Sequence, residues 1–147
     1  MRNALIASVV ALVVFIAAGA AIAAAKPAAI VTTAHTKLGQ ILVDGRGRSL
    51  YLFEKDEHGR SACSGVCVSY WPPLLTKGKT AAIKGAKASL VGSIRRADGS
   101  RQVTYAGHPL YFFSGDAGRG QTNGEGLTDF GASWYVLAPT GKKIDRD

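Results

Sequence analysis

The feature that most constrains this chain is a seven-residue phrase that occurs twice. Leu50-Tyr-Leu-Phe-Glu-Lys-Asp56 and Leu110-Tyr-Phe-Phe-Ser-Gly-Asp116 both read Leu-Tyr-x-Phe-x-x-Asp, sixty residues apart. A phrase repeated at that distance signals an internal duplication. In a strand, successive side chains point to opposite faces, so Leu50 and Leu52 share one face while Tyr51 and Phe53 share the other. Both faces are apolar, which places such a strand in the interior, covered on two sides. Each phrase then runs into a turn, Asp56-Glu-His-Gly59 in the first copy and Gly115-Asp-Ala-Gly118 in the second. Aspartate at the start of a turn accepts backbone N–H bonds, and glycine at its end tolerates positive φ. The motif residues Tyr51, Phe53, Asp56, Tyr111, Phe113 and Asp116 therefore have two readings. One is structural, with core tyrosines whose hydroxyls are satisfied and aspartates that cap turns. The other is a ligand site.

Around each phrase the turn signals define β-hairpins. Gln40-Ile-Leu-Val43, a turn at Asp44-Gly45 and a return through Arg48 to Phe53 form the first. Arg101 to Tyr105, a turn at Ala106-Gly-His108 and a return from Pro109 to Phe113 form its counterpart. Leu90 to Ile94 and the turn Ala97-Asp-Gly-Ser100 add a hairpin partner for Arg101 to Tyr105, and Trp134 to Leu137 is a closing strand that ends at Pro139. Between the copies, Trp71-Pro-Pro enforces an extended path, and Trp71, Leu74 and Leu75 read as lid residues over the core. Helical periodicity is confined to a turn or two around Val66 to Tyr70. The expected fold class is all-β: two pseudo-repeats of hairpins in one small sandwich or barrel-like domain. Residues 26–37 form a tether, 38–76 the first repeat, 77–89 a connector, 90–139 the second repeat and 140–147 a tail.

Ahead of this domain, Met1-Arg-Asn3 is followed by an uncharged run from Ala4 to Ala25 with small residues at Ala23 and Ala25. Residues 1–25 read as a signal peptide, so the domain is expected in the periplasm or secreted after cleavage. The run is also long enough to serve as an uncleaved inner-membrane anchor. The formal net charge is +8, and no acid lies between Glu57 and Asp98, where Arg60, Lys77, Lys79, Lys84, Lys87, Arg95 and Arg96 all fall. An exported basic surface suits anionic envelope polymers or lipid headgroups as partners. Nucleic acid is not expected, because the lysine-rich stretch carries no interleaved aromatics.

Cys63 and Cys67 are the only two cysteines. In an exported domain they are disulfide candidates, a short local staple contributing roughly 2 kcal/mol by chain entropy. If reduced, they could join His58 and His108 as ligands for Cu(I) or Zn(II), which is the envelope metal-handling or redox-accessory alternative. Ca(II) is a further option through Asp116, Asn123, Glu125 and Asp129, although their spacing is not that of an EF-hand loop. No catalytic residue is assigned: Ser61, Ser64 and Ser69 flank the cysteines without a Gly-x-Ser-x-Gly elbow.

Taken together, Tyr51/Phe53/Asp56, Tyr111/Phe113/Asp116, Cys63-Ser-Gly-Val-Cys67, Trp71-Pro-Pro-Leu-Leu75, Val103-Thr-Tyr105 and Gly107-His-Pro-Leu-Tyr111 resemble the bacterial secreted-repeat family. That family is also described as predicted lipoproteins with a Tyr-x-(Phe/Trp/Tyr)-x-x-Asp motif. The resemblance spans roughly Leu38 to Pro139. It implies an exported, duplicated all-β domain with no established activity and no catalytic residues to carry over. The chain departs from the lipoprotein description in having no cysteine near its N-terminus for lipid attachment.

Overall fold

A computed structural model of the protein describes residues 19–21, 28–57 and 59–146. The expected signal segment 1–25 lies almost wholly outside the described residues, and His58 lies outside them too. No helix among the described residues is long and apolar enough to cross a membrane.

Among the described residues the fold is nearly all β, built from three small sheets that do not close into a barrel. Strands β1 (Ala29–Thr36), β2 (Gly39–Asp44) and β4 (Thr80–Ala82) form the first, in the order β2-β1-β4. Strands β3 (Tyr51–Phe53), β8 (Thr128–Asp129) and β9 (Ala132–Val136) form the second, in the order β3-β9-β8. Strands β5 (Val91–Arg95), β6 (Arg101–Tyr105) and β7 (His108–Pro109) form the third, a meander. Helix α1 (Val66–Tyr70) is a single short turn of α-helix.

The two hairpins at the repeated phrases exist in abbreviated form. Val43 bridges Ser49, and Leu50 N–H donates to Leu42 O at 3.1 Å. In the second copy, Leu110 N–H donates to Val103 O at 3.0 Å. The alternation read from the phrase separates two cores. Leu50, Leu52 and Leu110 join Val31, Leu42, Leu74, Val103, Tyr105 and Leu137 in one cluster. Tyr51, Phe53 and Tyr111 join Ile41, Val43, Cys63, Cys67, Trp71, Trp134 and Val136 in the other. Each repeated strand is therefore a partition between two apolar layers, and Leu50, Tyr51, Leu110 and Tyr111 are fully buried.

Several segments differ from the sequence reading. The expected tether holds β1, which pairs with β2 in register from Val31↔Asp44 to Thr36↔Gly39 and buries Val31. The expected connector holds β4, parallel to β1 through Ala29↔Thr80 and Val31↔Ala82, with the connector's lysines before and after the paired strand. The expected tail folds back, with Ile144 N–H donating to Val136 O and Ile144 packed against the aromatic core. Of the three lid residues, Trp71 lies at the centre of the core and Leu74 is buried, whereas Leu75 is 47% exposed. The Trp-Pro-Pro stretch is laced between the second repeat's strands instead of covering them: Phe112 N–H donates to Pro72 O, Leu74 N–H to Leu110 O and Val103 N–H to Leu74 O. Prolines lack a donor but keep their carbonyl, so an extended Pro-Pro segment can still accept from a neighbour.

Candidate functional site

The two copies of the phrase meet at their tyrosines. Tyr51 N–H donates to Tyr111 O at 2.8 Å, and Tyr111 N–H donates to Tyr51 O at 3.0 Å, a reciprocal antiparallel bridge. The side chains then cross over. The Tyr51 hydroxyl donates to Asp116 Oδ2 at 2.6 Å, and the Tyr111 hydroxyl donates to Asp56 Oδ2 at 2.8 Å. Each tyrosine thus bonds the aspartate of the opposite repeat.

With its other oxygen each aspartate accepts a backbone N–H from the loop that follows it, beyond the four-residue turn read from the sequence. Asp56 Oδ1 accepts from Ala62 N–H at 2.6 Å, and Asp116 Oδ1 accepts from Asn123 N–H at 2.9 Å. In both copies the aspartate N–H donates back to the carbonyl of the motif phenylalanine, Asp56 to Phe53 and Asp116 to Phe113. A carboxylate that accepts one bond from its own loop and one from the other repeat ties a local turn to the long-range pairing.

Around this bridge the rings form a four-membered stack. Phe53 lies on Trp134 (3.9 Å, 6°), Trp134 on Trp71 (3.9 Å, 4°) and Trp71 on Phe113 (4.4 Å, 31°). The tyrosines close it edge-on, Tyr51 against Trp71 and Tyr111 against Trp134. The order alternates between repeats, so neither half can build the stack alone. Such ring pairs contribute roughly 0.5–1.5 kcal/mol each beyond their area. The tryptophans reveal a second duplicated phrase that the sequence reading passed over: Trp71-Pro-Pro-Leu74 and Trp134-Tyr-Val-Leu137 share Trp-x-x-Leu.

Electrostatics follow from this burial. Desolvation pushes the Tyr51 hydroxyl well above its ordinary value, and the Asp116 bond and charge add to it. Tyr111 is likewise raised by burial and then by Asp56. Burial raises both carboxyls as well. Bonds from Ala62 and Tyr111 and the charge of Arg96 pull Asp56 back, and bonds from Tyr51 and Asn123 pull Asp116 back.

The two ends differ in their surroundings. At Tyr51 the hydroxyl accepts from Gly124 N–H at 3.2 Å, with a carbon-lined wall formed by Trp71 and Phe113. At Tyr111 the hydroxyl meets Ser61 Oγ at 2.7 Å, and Arg96 closes the cluster. Its Nη1 donates to Ser61 Oγ (2.9 Å) and Gln102 Oε1 (2.7 Å), and its Nη2 donates to Cys63 O (2.6 Å). Arg96 and Gln102 were not singled out as site residues by the sequence. Gln102 sits at a fully buried position on β6, a strand that also carries the polar Arg101 and Thr104, so its sequence offered no signal that set Gln102 apart.

Cys63 and Cys67 form a disulfide, so in this oxidised form neither offers a thiolate. His108, at the start of β7, is half-buried, and desolvation lowers its pKa. No group of three or more His, Cys, Asp or Glu side chains placed to hold a metal ion occurs among the described residues. Of the residues considered for Ca(II), Asp116 and Asn123 meet, Glu125 instead accepts from Val136 N–H at 2.6 Å, and Asp129 contributes its backbone carbonyl to Trp134 Nε1.

Fold and site together define a duplicated all-β domain whose repeats interlock through exchanged Tyr–Asp bonds and an interleaved aromatic stack. The chain belongs to the family of secreted repeats of unknown function, whose profile matches residues 32–75 and 92–138. Neither the curated proteins nor the solved structures include a significant match.

Proposed function

We propose that this secreted-repeat protein is a non-catalytic module of the cell envelope, resident in the periplasm or outside the cell, that engages anionic envelope polymers or lipid headgroups through its basic surface. The observation that carries this reading is the exchange of Tyr51 and Tyr111 with Asp116 and Asp56. The buried hydroxyls of Tyr51 and Tyr111 are committed to the half-buried carboxylates of Asp116 and Asp56, which directs attention to the rest of the surface as the place for function. That surface is dominated by positive charge: Arg60, Lys77, Lys79, Lys84, Lys87 and Arg95 are all exposed, in a stretch whose only acids stand at its two ends. Exposed charge of one sign concentrates counter-charged polymers and loses its hold as salt screens it.

Co-sedimentation of the purified protein with anionic and neutral vesicles, and its titration with anionic and neutral polymers, tests this reading. Binding to the anionic partners that weakens with added salt is expected. Equal binding to neutral and anionic partners, or binding insensitive to salt, would overturn it.

A further inference from the structure

The basic surface is not uniform, and one part of it is shaped. A cleft of about 650 Å³ opens beside the disulfide, between the Cys63 loop and the β5–β6 turn. That volume falls in the range of small-ligand pockets, roughly 300–1,000 Å³. Arg60, Arg95 and Arg96 line it, with Ser61 and Ser64 between them and Val68 on its apolar wall.

Arg96 is the fixed member. Ser61, Gln102 and the Cys63 carbonyl hold three of its N–H groups, and Gln102 is itself anchored by donating to Leu110 O at 2.8 Å. A guanidinium carries five N–H donors in a rigid fork, so Arg96, which lines the cleft, keeps two beyond these three bonds. Arg60 and Arg95 are exposed, and neither takes part in the ion pairs found among the described residues, which involve Arg48 and Lys143. The single carboxylate in the lining, Asp98, accepts at one oxygen from Ser100 N–H at 2.9 Å and from the Ser100 hydroxyl at 2.6 Å, and it keeps its charge. Three guanidiniums share this lining with one carboxylate, Asp98, and although the charges of Asp98 and Asp56 both reach Arg96, the cleft keeps an excess of positive charge, which favours a planar or tetrahedral oxyanion held by two-pronged bonds.

We infer that this cleft seats an oxyanion, a phosphate or carboxylate group carried on an anionic polymer, with Arg96 as the preset contact and Arg60 and Arg95 closing over it. The inference rests on the binding reading above and gives it a location. The lysines that flank β4, Lys77, Lys79, Lys84 and Lys87, then supply general attraction, and the arginine cleft supplies the specific contact.

The test is titration of the purified protein with polyphosphate, polyglutamate and neutral dextran, comparing wild type with two double variants, Arg60→Gln/Arg95→Gln and Lys84→Gln/Lys87→Gln. All four substituted positions are exposed, so the variants keep the fold, and thermal melting checks this. Loss of two charge-assisted contacts should weaken binding about tenfold or more in the arginine variant, against about threefold or less in the lysine variant. The polymer on which this difference appears tells whether phosphate or carboxylate is the preferred group. Equal weakening by the two variants would overturn the cleft while leaving the basic-surface reading intact. Failure of the wild type to bind either polyanion above dextran would overturn both.

Discussion

Alkaline unfolding should expose two of the buried tyrosines, Tyr51 and Tyr111, through a defined slope. Tyr51 and Tyr111 are held protonated in the folded domain by burial and by an aspartate at the hydroxyl. In the unfolded chain they titrate near 10. Above that pH the folded state keeps a proton at each hydroxyl that the unfolded state has released. Stability contributed by a group whose folded pKa is raised is complete below the unfolded value and falls as pH rises above it. Each tyrosine lowers the unfolding free energy by about 1.36 kcal/mol per pH unit, and the pair by about 2.7 kcal/mol. That slope is reached only above the unfolded value, so between about pH 9 and 11 the pair removes about 3 kcal/mol, a large part of the stability of a modest domain. Urea unfolding at about pH 9, 10 and 11 reads this slope, and the Tyr51→Phe variant should lose one tyrosine's share of it. Tyrosinate absorbance provides the second readout: Tyr51 and Tyr111, among the five tyrosines, should ionise only as the fold is lost. Complete ionisation of all five in the folded protein, or a Tyr51→Phe slope equal to that of wild type, would refute the reasoning.

Other perturbations report on separate parts of the core. Gly124→Ala places a methyl 2.8 Å from Trp71 Cη2 and 3.0 Å from Phe113 Cγ, rigid ring atoms of the stack. It should destabilise by about 1–3 kcal/mol in denaturant unfolding, as overpacking does. Replacing Cys63 and Cys67 together by serine removes a short staple and should cost about 2 kcal/mol, with near-ultraviolet circular dichroism unchanged. Tyr51→Ala and Tyr111→Ala each truncate a fully buried ring and should each cost about 3 kcal/mol or more in the same assay, whereas an unchanged midpoint would place these rings outside the core.

What the sequence disclosed was what local pattern can carry. Leucine and aromatic residues alternate through the repeated phrase, and that period alone separated the two cores correctly at Leu50, Tyr51, Leu52 and Phe53. The Asp98-Gly99 turn marked the β5–β6 hairpin, and the weak helical signal at Val66–Tyr70 is α1. What stayed hidden depends on tertiary pairing. Turn chemistry assigns Asp56 and Asp116 to their own loops, and nothing local says that their second oxygens serve the other repeat's tyrosines. Strand β1 was masked because its Ala- and Thr-rich sequence resembles a tether, and only pairing with β2 and β4 orders it. The β8–β9 hairpin was missed because its turn, Phe130-Gly131, puts phenylalanine at φ 58°, where asparagine, aspartate or glycine is the usual signal. Arg96 read as one more surface charge, and its three bonds into the Tyr111 cluster come only from the fold.

Interlocking of the repeats by exchange is tested most directly by double-mutant cycles on Tyr51. Combining Tyr51→Phe with Asp116→Asn should give a coupling energy of about 1–2 kcal/mol, whereas combining it with Asp56→Asn, the aspartate of its own phrase, should give additivity within about 0.5 kcal/mol. Coupling to Asp56 with none to Asp116 would mean that each phrase closes on itself, and would contradict the exchanged pairing.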